Sequence, residues 1–259
     1  MALAYSMDKI GPLARSAEDC AHIFAAIAGH DFKDRGTLGI DKAAFTYSPS
    51  MELSAKPLRV GVLTNAWKLD AHVEKLILAA ELVVRKSFPG TKSASLPEGP
   101  WEDAAGVIIG VEGASAFREL IRSGKIAQLT DPLGQINGYV NEQIGGADFV
   151  RALQIREILQ QKMTDLFENF DVLVAASQPI AATPLETNLE TDLTFPDPLG
   201  GIGNLCGLPA LSVPCGFTGE KLPAGLQFIA RAGNDAAVIR AARIFQQRTD
   251  WHRKHPKLS

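Results

Sequence analysis

Cleaving an acyl bond takes a nucleophilic Ser or Cys, a base beside it and donors for the developing oxyanion. Serines and cysteines in glycine-rich turns are therefore the first residues to weigh. The 259-residue chain has no Gly-x-Ser-x-Gly. Its nearest approach, Gly110-Val-Glu-Gly-Ala-Ser115, falls inside a helical pattern, where a serine hydroxyl bonds its own backbone. Cys20, Cys206 and Cys215 are an odd set without repeated short spacing, which suits reduced core thiols rather than disulfides or zinc ligands. No histidine is placed to activate Cys206 or Cys215. His252 and His255 stand at helical i, i+3 spacing in a charged tail and read as solvated. His22, His30 and His72 are isolated, and Asp31 and Asp34 decorate the end of a helix. The sequence thus predicts no catalytic residue, no metal site and no cofactor within this chain.

One stretch stands apart. Gly200-Gly-Ile-Gly-Asn-Leu-Cys-Gly-Leu-Pro-Ala-Leu-Ser-Val-Pro-Cys-Gly216 sets five glycines and two prolines around an apolar run. Such a composition calls for special backbone angles and close backbone approach. It reads either as a tight turn feeding a buried strand or as the floor of a pocket.

The elements that must position these residues follow from periodicity. Ser16 and Asp19 form a capping-box pattern ahead of Ile23, Phe24 and Ile27, and Gly29 can close the helix, so the spacing predicts a helix over 17–28. Residues 58–64, after Pro57, form a short β-rich run, and 69–88 return to helical period. Residues 101–123 predict another helix, and 148–170 a long one with Phe149, Ala152, Leu159, Met163, Leu166 and Phe167 on its buried side. The apolar run 171–177 then predicts a strand buried on both faces. Residues 178–203, rich in Pro, Gly, Thr and Asp, show no period and predict a long functional or mobile loop. Runs 210–217 and 224–230 predict a hairpin through Thr218-Gly-Glu-Lys-Leu-Pro223, followed by a helix capped by Asn234. The tail from Trp251 to Ser259 predicts solvent exposure. Helices alternating with buried strands make the fold class α/β, and a single domain over 1–259 is the simplest division.

With 46% hydrophobic, 21% charged and 7% aromatic residues the composition is ordinarily globular. A net charge of −3 with Lys and Arg spread among acidic residues predicts no nucleic-acid partner. No run approaches the ~18 apolar residues of a membrane span, and the N-terminus has no signal-like pattern. A cytoplasmic protein is expected.

The glycine-rich stretch resembles the Asn-x-x-Gly-Leu-Pro-Ala-x-Ser-x-Pro-x-Gly segment of the amidase signature family, and Leu222-Pro-Ala-Gly-Leu-Gln-Phe228 resembles its Leu-Pro-x-Gly-x-Gln strand. Ser6-Met-Asp-Lys-Ile-Gly-Pro-Leu-Ala-Arg15 is similar to the family's Ser-Leu-Asp-x-x-Gly-Pro segment, and Phe170-Asp-Val-Leu-Val-Ala175 to its Tyr-Asp-Val-Leu-Leu strand. The likeness runs along the whole chain in the family's order.

This resemblance implies a mixed β-sheet flanked by helices, and hydrolysis of a carboxylic amide through a Ser, a second Ser in a cis peptide, and a Lys. In the family these three precede the segment with which this chain begins, and no Gly-Gly-Ser-Ser-Gly-Gly run occurs here. The expectation is the C-terminal, pocket-forming portion of an amidase, inactive alone. The alternative is a non-catalytic binding or regulatory remnant. By the resemblance, Asp197 matches an Asp that holds the substrate's amino group in the tRNA amidotransferase A-subunit branch, while Asn204 and Asp8 belong to the matching family segments and line the substrate pocket. The branch's Arg has only a loose counterpart in Glu112 and Arg118. Read bottom-up, Asp8 can anchor a turn instead, Asn204 can satisfy buried backbone groups, Gln227 can be structural and Asp197 solvated. An incomplete sheet leaves edges that proteins cover, so a homo-oligomer is expected.

Overall fold

A computed structural model describes residues 2–34, 37, 56–188, 196–219 and 221–255. Its chain forms two compact units: Met1–Ile10 with Pro97–Asp165 and Pro196–Gly207, and Gly11–Leu96 with Leu166–Phe195 and Leu208–Ser259.

The second unit holds the sheet. Strands β1 (Val60–Leu63), β2 (Lys92–Ala94), β3 (Val172–Ala176), β4 (Ala210–Phe217) and β5 (Pro223–Ala230) lie in the order β2-β1-β3-β5-β4. β1 runs parallel to β2 and β3, whereas β5 is antiparallel to β3 and β4, so the sheet is mixed as expected. Every residue of β1 and of β3 is buried, the pattern of strands covered on both faces. One face carries Val60, Val172, Val174, Val213, Leu226 and Phe228 into a core with α1 (Ala17–Ile27), α2 (Ala71–Ser87) and α8 (Asp235–Gln246). There the Phe228 and Phe245 rings lie 5.9 Å apart. Gly61 is needed in β1 because a Cβ would come within 2.8 Å of the Phe170 ring and 3.0 Å of Ala94. Pro214 is tolerated because β4 is an edge strand with an irregular register at Pro214/Gly216.

Local signals explain the ends of these elements. Ser16 Oγ accepts from the Asp19 N–H at 3.0 Å and caps α1, as its sequence requires. The hairpin turns where expected, with the Lys221 N–H donating to Thr218 O and Lys221 at φ 65. Asn234 does stand at the N-cap of α8, but its side chain makes no capping bond. The exposed-tail expectation is corrected in part. Residues Trp251–Arg253 form a 3-10 turn whose half-buried indole packs edge-on against Phe217 at 6.0 Å, because a large ring gains more by covering the end of β4 than by hydration. Residues 256–259 lie outside those described.

The first unit is helical: α3 (Trp101–Ala116), α4 (Arg118–Arg122), α5 (Pro132–Asn141), α6 (Gly146–Phe167, as far as Asp165) and α7 (Pro198–Leu205). The single helix expected over 101–123 is broken at Phe117, at φ −102 and ψ 17. Gly106, Gly110 and Gly113 weaken the helix, and Phe117 and Leu120 pack into a small cluster with Ala114, Ile121 and Ile126. α5 begins on the Asp131–Pro132 pair, with Asp131 accepting from the Gly134 N–H at 2.8 Å. The loop expected over 178–203 is corrected at its end, since α7 starts at Pro198; residues 189–195 lie outside those described. Asp197 accepts from the Gly200 N–H at 2.7 Å, Pro198 fills the first helical position, and Gly207 closes the helix at φ 63. Its glycines let helices come close: a Cβ on Gly201 would stand 3.4 Å from the backbone of Glu102 in α3.

Candidate functional site

The N-terminal segment of the helical unit carries Ser6, Asp8 and Lys9, which have no regular helix or strand to fix them. Long side chains do so instead. The Ser6 N–H donates to Glu112 Oε2 of α3 at 3.0 Å, while Arg156 of α6 donates through Nη2 to Ser6 O and through Nη1 to Ser6 Oγ, both at 3.0 Å. The same guanidinium donates through Nε to Leu205 O at 2.7 Å, joined there by Gln160 Nε2 at 3.0 Å. Arg156 therefore clamps the C-terminal end of α7 to the Ser6 segment. A planar fork with five donors suits this task, and a lysine in its place does not.

The clamp brings Asp8 and Asn204, far apart in sequence, into one cleft of about 230 Å³, lined also by Leu3, Met7, Lys9 and Ile109. The Asp8 carboxylate is engaged locally: Oδ2 accepts from the Leu3 N–H at 2.6 Å and the Ala4 N–H at 3.2 Å. It thus anchors a turn, and it lines the cleft as well. Asn204 Oδ1 accepts from Lys9 Nζ at 2.9 Å, and Lys9 donates equally closely to Gly203 O. With its oxygen so occupied, Asn204 turns its amide N–H groups away from Lys9, and they have no partner among the described residues. Asp197 does not line this cleft; it caps the helix that carries Asn204. Beside it Glu102 titrates above the ordinary carboxylate range, raised by burial and by the charges of Asp197 and Asp103.

Lys9 is the residue that sequence reasoning missed, although it stands between Asp8 and Gly11 in the Ser6–Arg15 segment. Burial holds its ammonium below the ordinary lysine range, with the Arg156 charge pressing the same way and Cys206 opposing. Arg156 left no local sequence signal, because its partners lie 49 and 150 residues away. Arg118 opens the short α4, and Glu112 holds Ser6.

The sheet unit has a second, wider cleft of about 510 Å³ at the end of β3, lined by Ser177, Gln178, Thr183, Ser212, Pro214 and Gly225 among others. Ser177 Oγ and Ser212 Oγ share a hydrogen bond at 2.5 Å. Gly225 lies beneath them, where a Cβ would sit 2.7 Å from the first hydroxyl and 3.0 Å from the second. Trp67 Nε1 and Gln227 Nε2 both donate to Ala176 O at 2.9 Å, fixing the strand end, so Gln227 is structural. Among the described residues neither serine has a lysine or histidine as hydrogen-bond partner, so no base there takes a proton from either.

The cysteines are no better placed for nucleophilic work. All three are free; burial pushes the Cys206 thiol up to about 11 and the Cys215 thiol up to about 12, so both stay protonated at neutral pH. Ser115 lies in α3, as its sequence context requires. Among the described residues no group of three or more His, Cys, Asp or Glu is gathered to hold a metal ion, and no helix is long and apolar enough to cross a membrane.

Residues 1–239 match the Amidase family. The A-subunit of glutamyl-tRNA(Gln) amidotransferase from Picosynechococcus sp. is 29% identical over 294 residues, and its counterpart from Acaryochloris marina 30% identical over 291. Each alignment takes in 100% of this chain but 59% of the relative, so the chain spans about three fifths of the length of these curated relatives. Among solved structures, a protein from a vestigial complex linked to the origins of an s-triazine catabolic enzyme superposes with a TM-score of 0.80 at 25% identity, over 96% of this chain and 55% of that one. The peptide amidase of Stenotrophomonas maltophilia superposes at 0.76 and 24% identity over the same shares, which shows a common fold.

Proposed function

Because this chain belongs to the amidase family, we propose that it forms the substrate-side wall of an amidase, holding a carboxylic amide that the whole enzyme hydrolyses to the acid and ammonia or an amine. The observation that carries this reading is the cleft in which Asp8 and Asn204 meet. The unpartnered Asn204 amide group is a donor suited to a substrate carbonyl oxygen, and Leu3, Met7 and Ile109 offer apolar surface to an acyl chain. Asp197 contributes by fixing α7 and hence Asn204.

In this proposal the nucleophile and base belong to the two fifths of the relatives' length that this chain does not span. The protonated thiols at Cys206 and Cys215 and the base-less pair Ser177–Ser212 support that division. Residues 1–259 then act as one C-terminal portion, with no nucleic-acid partner, in the cytoplasm, where three free thiols are at home. Self-association is part of the proposal. Among the described residues α5 buries none of its own and leaves Leu133, Ile136 and Val140 exposed at helical spacing. Light scattering that reports a monomer removes this element.

The test is ammonia release from a panel of aliphatic and aryl amides by the purified chain, run beside an NMR titration with the same amides. The expected outcome is chemical-shift change at Met7, Ile109 and Asn204 with no ammonia. Turnover that survives repurification overturns the division of labour, and shifts confined to the Ser177–Ser212 cleft move the site.

A further inference from the structure

We propose that the turn Trp251–Arg253 is an acid-released latch, which holds the end of β4 while His252 is neutral and lets go when the imidazole takes up a proton. The inference uses neither Asp8 nor Asn204 and stands apart from the amide-wall reading.

The turn grips the sheet through a ring. Trp251 packs edge-on against Phe217 at 6.0 Å, and Lys254 Nζ stands 3.9 Å from the centre of the indole while lying 3.5 Å from Asp250 Oδ1. Phe217 faces Pro223 in the β4–β5 register, and Pro223 lines the wider cleft, so the turn bears on the strand pair that builds one wall of that cleft. His252 sits at the middle of the turn. Its ring is half-buried, and its Nδ1 is closed off from solvent without a hydrogen-bond partner among the described residues. The expectation of a solvated His252 is thereby corrected, because this nitrogen has no access to bulk water.

A buried nitrogen without a partner costs least as a bare acceptor, since an orphaned N–H is the rarer and dearer fault. Neutral imidazole leaves Nδ1 bare by carrying its hydrogen on Nε2, whereas in imidazolium both nitrogens must donate. Protonation therefore puts a charged N–H where no oxygen receives it, and releasing the turn returns it to water. The surroundings do not offset this. Burial holds the His252 pKa below its ordinary 6.5, the Arg253 charge presses the same way, and Asp250, which is shared with Lys254, opposes them. β4 carries no charged residue, and its one titratable group, Cys215, keeps its proton at neutral pH. Arg248 and His255, the next such residues along the chain, add no acid. A base held below its unfolded value costs nothing above that value and destabilises as the pH falls beneath it, so the docked turn loses ground below about pH 6.5.

NMR of the full chain between about pH 7.5 and about pH 5 tests the latch, a range that spans histidine titration and ends above the acid limb of Asp171. The readout is the cross-relaxation between the Trp251 indole and the Phe217 ring, with the indole signal assigned from Trp251→Phe. This contact is expected to lose at least half its intensity on acidification and to regain it on return, with a midpoint that follows the His252 ring signals. His252→Phe, which takes up no proton, should keep the contact at both ends of the range, and His252→Arg, always charged, should lack it at both. His255→Phe should leave the transition in place, and far-UV circular dichroism should stay constant throughout. A wild-type contact that survives acidification overturns the latch, as does one already absent at neutral pH. Loss of the contact that persists in His252→Phe assigns the proton to another group and overturns it, and loss accompanied by collapse of the dichroism overturns it as simple unfolding.

Discussion

Replacing Arg156 with Ala removes three hydrogen bonds, of 2.7, 3.0 and 3.0 Å, but its cost depends on what each acceptor has left. Leu205 is fully buried, and its carbonyl keeps Gln160 Nε2 as a donor when Arg156 is gone. Ser6 O and Ser6 Oγ lose their charged donor outright. A hydrogen bond to a charged group contributes about 1.5–3 kcal/mol, and the two lost at Ser6 are half-exposed, so R156A is expected to destabilise by roughly 3 kcal/mol. Gln160→Ala is the milder change, about 1 kcal/mol, because Arg156 Nε still serves Leu205 O. Combining them leaves that carbonyl with neither side-chain donor, and an unsatisfied buried acceptor costs about 1–3 kcal/mol more. The double variant should therefore exceed the sum of the singles by roughly 1–2 kcal/mol. Arg156→Lys, a point charge without the fork, should recover less than half of the loss. Urea denaturation followed by circular dichroism gives all four values. Additivity within about 0.5 kcal/mol refutes the shared-carbonyl argument, and a wild-type midpoint for R156A refutes the clamp itself.

Two further outcomes follow from the sheet. Gly61→Val forces a branched side chain into the space held by Phe170 and Ala94, and it should lower stability by about 2–3 kcal/mol in the same denaturation assay. Asp171 supplies a pH dependence. Burial raises its pKa, but hydrogen bonds and charge from Arg59, 2.8 Å away, outweigh that and bring it below its ordinary 3.8. A depressed carboxylate stabilises above its unfolded pKa and loses that contribution as the pH falls through the folded value. The chain should therefore lose stability below about pH 4, and Asp171→Asn should flatten that part of the stability-against-pH curve; an unchanged acid limb counts against the pairing.

Local grammar made much of the fold legible. Ser16 with Asp19 specified the start of α1, the fully apolar β3 announced a strand covered on both faces, and the turn chemistry of 218–223 gave the hairpin. It misled where two local signals conflicted. Asp197–Pro198 is a helix start and Asp131–Pro132 another, but the glycines of α7 masked the first, since their entropic cost is visible in sequence and the close approach to Glu102 that offsets it is not. The break at Phe117 has the same origin: the period continues through it, and only packing with Ile121 and Ile126 decides that the chain turns there.

For the site, the residue types around Asp8 and Asn204 were set by sequence, and the family likeness singled them out. What sequence alone could not decide is that they share a cleft. That depends on Arg156 and Glu112 gripping Ser6 from two helices, and on Lys9 reaching Asn204 across 195 positions. Helical period and capping act over three or four residues and leave a local pattern. A hydrogen bond from a long side chain acts over Å in space and any distance in sequence, so only the folded chain determines which residues share the cleft.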